Sequence, residues 1–369
     1  MKILATDVFQ DFKCVGGECI KTCCKGWNIV IDGETVKKYR ESDDPLCREM
    51  LDNLIPTDNS DDMKVKLDAD GRCPMLNENG LCRLVLSKGD EYLSEVCQQY
   101  PREITKYNDT FFATVCPSCP EVARMIVERT DFISFAMDEV PDDKLYDGID
   151  WTLYNELINA LVISTDVLQK IELPLAKRFT ILLTIADIVD SHIDDKTVAK
   201  IRSDLKNLDF SFADKRNAVP ETHYNPLNII YNNLINNDQI PVVLKEYFLH
   251  CIDKDTIFQD VKDSTLLNDL RLEYTNLSTM LIFEFFMDVI KGSSLKKNIH
   301  KMITIILVIQ QLHSISLSSK GQIDKCDNIL AISMSCSLLK HSSILDNWVD
   351  ILLTQLSDDN LSSIANLIY

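Results

Sequence analysis

The sequence predicts a mainly α protein: a small cysteine-rich, loop-rich, metal-binding module with short strands, followed by an all-α helical domain. Two uneven distributions carry this reading. Ten of the thirteen cysteines (Cys14, Cys19, Cys23, Cys24, Cys47, Cys73, Cys82, Cys97, Cys116 and Cys119) fall within the first 119 residues. Seven of the ten glycines and five of the eleven prolines share that stretch, with Pro120 directly after it, whereas no proline follows Pro241. Dense backbone breakers make short elements joined by turns, and long breaker-free stretches favour helix. The expected division is 1–125 for the cysteine-rich module and 126–369 for the helical domain.

Within the module, Trp27-Asn28-Ile29-Val30-Ile31-Asp32 alternates as a short strand closed by Gly33, and Lys64 to Leu67 is a second strand candidate. In the helical part, Asp150 stands where an N-cap would precede the apolar positions Trp151, Tyr154, Leu157, Ile158 and Leu161. Pro174 suits the first turn of the next helix, which runs through Phe179, Leu182, Ala186 and Val189, and the two helices should pack as a hairpin. From Ser264, the residues Leu266, Leu270, Tyr274, Leu277, Leu281 and Phe285 recur at steps of three or four along one helical face. Further helical patterns cover 226–236, 240–253, 296–317, 325–340 and 343–356, the last with Ser343 as a cap ahead of Trp348.

The net charge of −19 is the wrong sign for gripping phosphate backbones, so nucleic acid is excluded as a partner. The apolar run at the N-terminus is shorter than the roughly 7 to 15 residues of a signal peptide. Met302 to Ile309 is far shorter than the about 20 residues of a membrane span, so it is expected to be a buried helix segment. A cytoplasmic location and no membrane partner are expected. In a reducing compartment, clustered cysteines point to thiolate ligands rather than disulfides.

Four runs hold the cysteines: Cys14-x4-Cys19-x3-Cys23-Cys24, Cys73-Pro74-x-Leu76-x3-Gly80-Leu81-Cys82, Cys97-x2-Tyr100-Pro101-Arg102, and Cys116-Pro117-Ser118-Cys119-Pro120-Glu121. All six histidines lie beyond residue 190, so a metal site built inside the module has an all-cysteine shell. That leaves four-cysteine zinc or an iron-sulfur cluster. Paired C-x2-C knuckles are missing except at Cys116 and Cys119, which tilts the balance toward iron-sulfur.

These segments, together with Phe12-x-Cys14, Thr22-Cys23-Cys24-x-Gly26-Trp27-x-Ile29-x-Ile31-Asp32, Leu93-Ser94-x2-Cys97 and Cys119-Pro120-Glu121-x-Ala123-Arg124, resemble the bacterial flagellin lysine-N-methylase family in content, order and spacing. The resemblance covers about residues 8 to 128, and its module is similar to a broader set of zinc- or iron-chelating domains. It implies a [4Fe-4S] cluster, S-adenosyl-L-methionine as methyl donor, and flagellin lysines as acceptors. Its cysteine pattern falls on Cys14, Cys19, Cys23, Cys24, Cys73, Cys82, Cys97 and Cys119 as metal ligands, with Cys47 and Cys116 extra. Eight thiols suffice for two clusters, or for one cluster with structural thiols.

No G-x-G occurs in the chain, so the glycine-rich nucleotide loop of conventional methyltransferases is absent. The C-x3-C-x2-C pattern of radical enzymes is not met either, because Cys24 follows Cys23 directly. An incomplete shell around an iron is one way to build a donor site. A lysine ammonium must lose its proton before it attacks a methyl group in a polar reaction. Tyr100 and Glu121 are candidates for that task, against plain structural roles at a turn and a helix start. Arg102 and Arg124 are candidates for binding a donor carboxylate, against pairing with a glutamate at the core edge. Trp27 either shields a cluster or anchors the small core. The leading reading is a protein-lysine N-methyltransferase. The alternatives are a non-catalytic zinc or iron-sulfur module with a structural or redox role, and a thiol-based sensing or interaction surface.

Overall fold

The structure is a computed structural model that describes residues 2–25, 29–57, 61–139, 150–208, 269–340 and 344–355. Two apolar interiors organise it. The smaller one is built on a three-stranded antiparallel sheet of β2 (Val30–Ile31), β3 (Leu54–Pro56) and β4 (Met63–Val65), in the order β2-β4-β3. Helix α2 (Gly33–Glu41) starts where the Asp32 carboxylate accepts from the Thr35 N–H at 2.8 Å. Helix α3 (Pro45–Asp52) starts where Asp44 accepts from the Leu46 N–H at 2.8 Å, with Pro45 in the first turn, where its missing N–H is no loss. Ile29, Ile31, Val36, Tyr39, Cys47, Met50 and Met75 fill the space between. Two short helices follow, α4 (Arg83–Lys88) and α5 (Glu95–Gln99).

The larger interior joins a four-stranded sheet to the helical body. Strand β1 (Lys2–Thr6) lies inside the sheet, parallel to β6 (Thr110–Val115) and antiparallel to β7 (Phe135–Glu139). Strand β5 (Arg102–Tyr107) completes the order β5-β6-β1-β7. The β5–β6 hairpin turns on Asn108 and Asp109, and Asn108 takes the left-handed conformation (φ 55°) that asparagine tolerates well in such turns. β6 is rich in aromatic and β-branched residues and is buried at five of its six positions. Its Phe112 meets Phe283 at 5.5 Å between ring centroids, and Phe135 of β7 stacks on the same ring at 4.8 Å. Helix α1 (Asp7–Asp11) extends β1, and α6 (Pro120–Val127) follows β6.

The helical body comprises α7 (Trp151–Leu168), α8 (Leu175–Asp194), α9 (Ile201–Lys206), α10 (Arg271–Phe286), α11 (Leu295–Lys320), α12 (Lys325–Lys340) and α13 (Ile344–Gln355). Asp150 caps α7 by accepting from Thr152 and Leu153 at 2.8 and 3.2 Å, and α7 packs on α8 as the expected hairpin. α11 is apolar nearly all round between Met302 and Leu312 because α8, α10, α12 and α13 surround it. Among the described residues, no helix is long and apolar enough to cross a membrane. The mainly α class is as expected.

Details depart from expectation for local reasons. The first strand is only Val30–Ile31, because Asp32 turns away to cap α2. The second starts one residue early, at Met63, and ends at Val65. Pro174 precedes α8 as its cap residue rather than sitting in the first turn. The helix read from Ser264 is described over Arg271–Phe286. Trp27, the Ser343 cap and the helices expected over 226–236 and 240–253 lie outside the described residues.

Candidate metal centre

All eight cysteines that the resemblance marks as ligands line one cavity of about 570 Å³. The first four come from the loop after α1, where residues 16–18 form a single 3-10 turn. Gly17 is pressed so closely against this wall that a Cβ would sit 3.3 Å from the Asn79 carbonyl and the Leu81 side chain. The Cys73 N–H donates to the Cys24 carbonyl at 2.9 Å, stitching the second run to the first. Between Cys73 and Cys82 a tight knuckle forms because the Asn77 carboxamide oxygen accepts from the N–H groups of Asn79 and Leu81, both at 2.9 Å. Gly80 supplies the positive φ (73°) that this knuckle needs. Cys82 is the cap residue of α4, Cys97 lies on α5, and Cys119 is the cap residue of α6. Side chains at element ends meet here because short helices and turns converge on one hollow.

No cysteine among the described residues is in a disulfide. Burial pushes the Cys97 thiol up to about 11 and the Cys119 thiol up to about 12. The Cys23 thiol is held below the ordinary cysteine range by a hydrogen bond from Cys24, and Cys24 is raised in turn by that bond and by burial. The charges that these thiols feel group them into two overlapping neighbourhoods. Cys24 senses Cys23, Cys97 and Cys73, and Cys97 senses Cys73, Cys82 and Cys23. Cys19 senses Cys23 and Cys14, and Cys119 senses Cys19 and Cys23. The two sets of four meet at the Cys23–Cys24 step.

The extra cysteines lie elsewhere. Cys47 is buried in the small core, and Cys116 is buried against Lys340 of α12, 3.0 Å from its Nζ. Neither lines the cavity. Arg102 does, with its guanidinium held over the Phe12 ring at 5.1 Å and donating to the Phe12 carbonyl at 3.2 Å. Arg124 does not; it pairs with Glu121 (2.5 and 2.8 Å) and with Glu128, the core-edge pairing weighed for it from sequence. Glu121 reaches the cavity wall, but that bidentate pair occupies its carboxylate. Tyr100 also lines the wall, its hydroxyl 3.0 Å from Ser118. Lys21 and Asp90, which the motifs did not single out, line it as well, and burial lowers the Lys21 ammonium below its usual range.

Among the described residues, no three histidine, cysteine, aspartate or glutamate side chains converge closely enough to hold one ion as arranged. The donor set nevertheless fits soft metals in kind. Eight thiols face one apolar hollow, and thiolate is the ligand that iron-sulfur clusters and structural zinc both require. The volume falls within the range that encloses a cofactor or small ligand.

No family profile and no solved structure matches the chain. It is 39% identical over 124 residues to the flagellar biosynthetic protein FliU of Salmonella muenchen, a match covering 32% of this chain and 73% of that protein. It is 36% identical over 129 residues to the Lysine-N-methylase of Salmonella typhimurium and to that of Salmonella choleraesuis, covering 34% of this chain. The match spans about a third (32%) of each Lysine-N-methylase. The flagellar relationship that the cysteine motifs suggested is thus met again over more than a hundred aligned positions, and the chain belongs to the family of FliU and is related to the Lysine-N-methylases.

Proposed function

We propose that this protein is a lysine N-methyltransferase acting on flagellin, with a [4Fe-4S] cluster held by the cavity thiols and S-adenosyl-L-methionine as the methyl donor. One observation carries the reading: thiols from four separate segments, matching the family's cysteine pattern, line a single cavity. The two neighbourhoods, Cys14, Cys19, Cys23, Cys119 and Cys24, Cys73, Cys82, Cys97, are the natural ligand sets; four engaged thiols close a cubane, and three leave one iron open. A cluster with an iron left open to solvent would supply Lewis-acid binding of the donor's amino and carboxylate groups.

The chain's own residues do the rest. Ile29, Met75, Leu81 and Leu84 keep the hollow apolar, which strengthens every charge interaction inside it. Arg102 presents a planar cation suited to a carboxylate, and its stacking on Phe12 fixes its direction. The net charge of −19 raises the local concentration of lysine-rich segments.

The test is anaerobic purification with counts of iron, sulfide and zinc, followed by transfer of labelled methyl groups to flagellin. About four irons and four sulfides per site with labelled lysines would support the reading. One or two zincs with no transfer would replace it with a structural thiolate module.

A further inference from the structure

Lys340 is almost wholly buried, with its side chain 2% exposed, and three groups surround its ammonium. Both oxygens of Glu103 stand 3.3 Å away, the Cys116 sulfur is at 3.0 Å, and Glu284 is in direct contact. Cys336 lies close enough to feel all of these charges. Burying a cation and two carboxylates is expensive, and such clusters are weak devices for stability. This cluster is not isolated. Tyr100 on the cavity wall shares a hydrogen bond with Ser118 at 3.0 Å, Ser118 Oγ donates to Cys116 Sγ at 2.9 Å, and Glu103 accepts a hydrogen bond from Cys116. The groups form one chain from the cavity wall to a carboxylate whose side chain is 30% exposed.

We propose that Tyr100, Ser118, Cys116 and Glu103 form a proton path that carries away the proton shed by the substrate ammonium. The proposal rests on the methyl-transfer reading of the cavity. The acceptor nitrogen gives its proton to the Tyr100 oxygen as the Tyr100 hydroxyl proton passes to Ser118. The Ser118 proton passes to the Cys116 sulfur, and the thiol proton passes to the Glu103 carboxylate. Tyrosine, serine and thiol end as they began. Glu103 ends neutral and releases its proton to water, and no electron changes hands.

The charges around the end of the path suit this task. Against the upward push of burial, the Lys340 ammonium and hydrogen bonds from Glu284, Lys340 and Cys116 hold Glu103 below the usual glutamate range, so it rests ionised and ready to accept. Burial pushes Glu284 up to about 8, so the two carboxylates together hold an exchangeable proton near neutrality. Lys340 is the positioning residue, holding Cys116 and both carboxylates in one place. Sequence reasoning could not find the path, because Tyr100, Glu103, the Cys116–Ser118 turn, Glu284 and Lys340 come from separate elements spread along the chain.

The test uses the full chain and follows exchange of the Cys116 thiol in heavy water through its S–H stretch, identified by difference against Cys116→Ala. Because the thiol meets water through Glu103, Glu103→Gln should slow this exchange by about tenfold or more. Ser118→Ala, which cuts the cavity end of the path, should lower methyl transfer by roughly a hundredfold while donor binding is unchanged. Ser118→Thr, which keeps the hydroxyl, should restore transfer. Exchange as fast in Glu103→Gln as in the parent protein would overturn the path, as would unchanged transfer in Ser118→Ala. Slowed exchange in a protein that transfers no methyl group at all would uphold the path and sink the methyl-transfer reading instead.

Discussion

Asp32 and Glu95 are joined by a hydrogen bond that makes one carboxylate serve two helices. One Asp32 oxygen accepts from the Thr35 N–H and so starts α2, and the other accepts from the Glu95 N–H at 3.0 Å, at the head of α5. That second helix carries Cys97. The strand end, the small core and one wall of the cavity are therefore fastened at a single side chain.

Asp32→Ala should destabilise the fold by about 1 to 2 kcal/mol and reduce the metal content of the purified protein. Burial pushes this carboxyl up, but hydrogen bonds from Glu95 and Thr35 outweigh it and leave the acid below the usual aspartate range. Its contribution is thus full above about pH 4 and is lost as the pH falls through the depressed native value. Thermal unfolding of the two proteins should converge in acid; curves that stay parallel to low pH would refute this role.

Cysteine replacements should divide by position. Cys23→Ser with Cys24→Ser should abolish metal binding and methyl transfer together, since both residues line the cavity where the two thiol neighbourhoods meet. Cys47→Ala should keep the full metal content, because Cys47 is packed in the small core, and should cost only about 1 kcal/mol of stability. Metal analysis of each protein decides. Loss of metal from the Cys47 variant, with its fold intact, would show that the cavity has been drawn in the wrong place.

Glu273 sets a pH dependence of opposite sign to Asp32. Burial pushes it up to about 7, offset in part by a hydrogen bond from Asn328. The native state therefore holds a proton that the unfolded chain releases near pH 4.3. Its contribution is complete below that value and declines as the pH rises to about 7. Glu273→Gln should flatten the fall in melting temperature between about pH 5 and 7 and leave the protein more stable than its parent at about pH 8. An unchanged slope would show that the carboxyl is hydrated.

Asp190 near the end of α8 caps α11 across the helical body. Its carboxylate accepts from the Ser294 hydroxyl at 2.7 Å and from the Leu295 and Lys296 N–H groups at 2.8 and 3.0 Å. Asp190→Ala should cost about 2 kcal/mol, because two orphan donors of a central helix lose their acceptor, and Asp190→Asn should recover part of the loss. Denaturant titration measures both.

Much of this was legible in the sequence where the physics is local. Asp150 announced α7, the missing prolines announced the helical body, and the apolar run of Met302 to Ile309 announced a buried helix. The large sheet was not legible. β1 pairs with β6 across a separation of 108 residues, and neither strand shows a clean alternation, since β6 is buried at five of its six positions and β1 at its last two in succession. The meeting of the eight cysteines followed from the family's pattern rather than from spacing. The Lys340 cluster left no trace, since an isolated lysine at a helix end reads as a solvated cap residue.

The contact between Arg102 and the Phe12 carbonyl closes a circle: the backbone leaves the main body after α1, travels through the whole small core, and comes back to the point of departure. Seven of the eight cavity cysteines ride on that detour, and only Cys119 waits on the other side. A detour with adjoining ends can be lifted out and bridged by a few residues at little entropic loss, leaving sheet and helices to fold alone. Taken alone that detour is one thiol short, so docking against α6 is the step that completes the cavity.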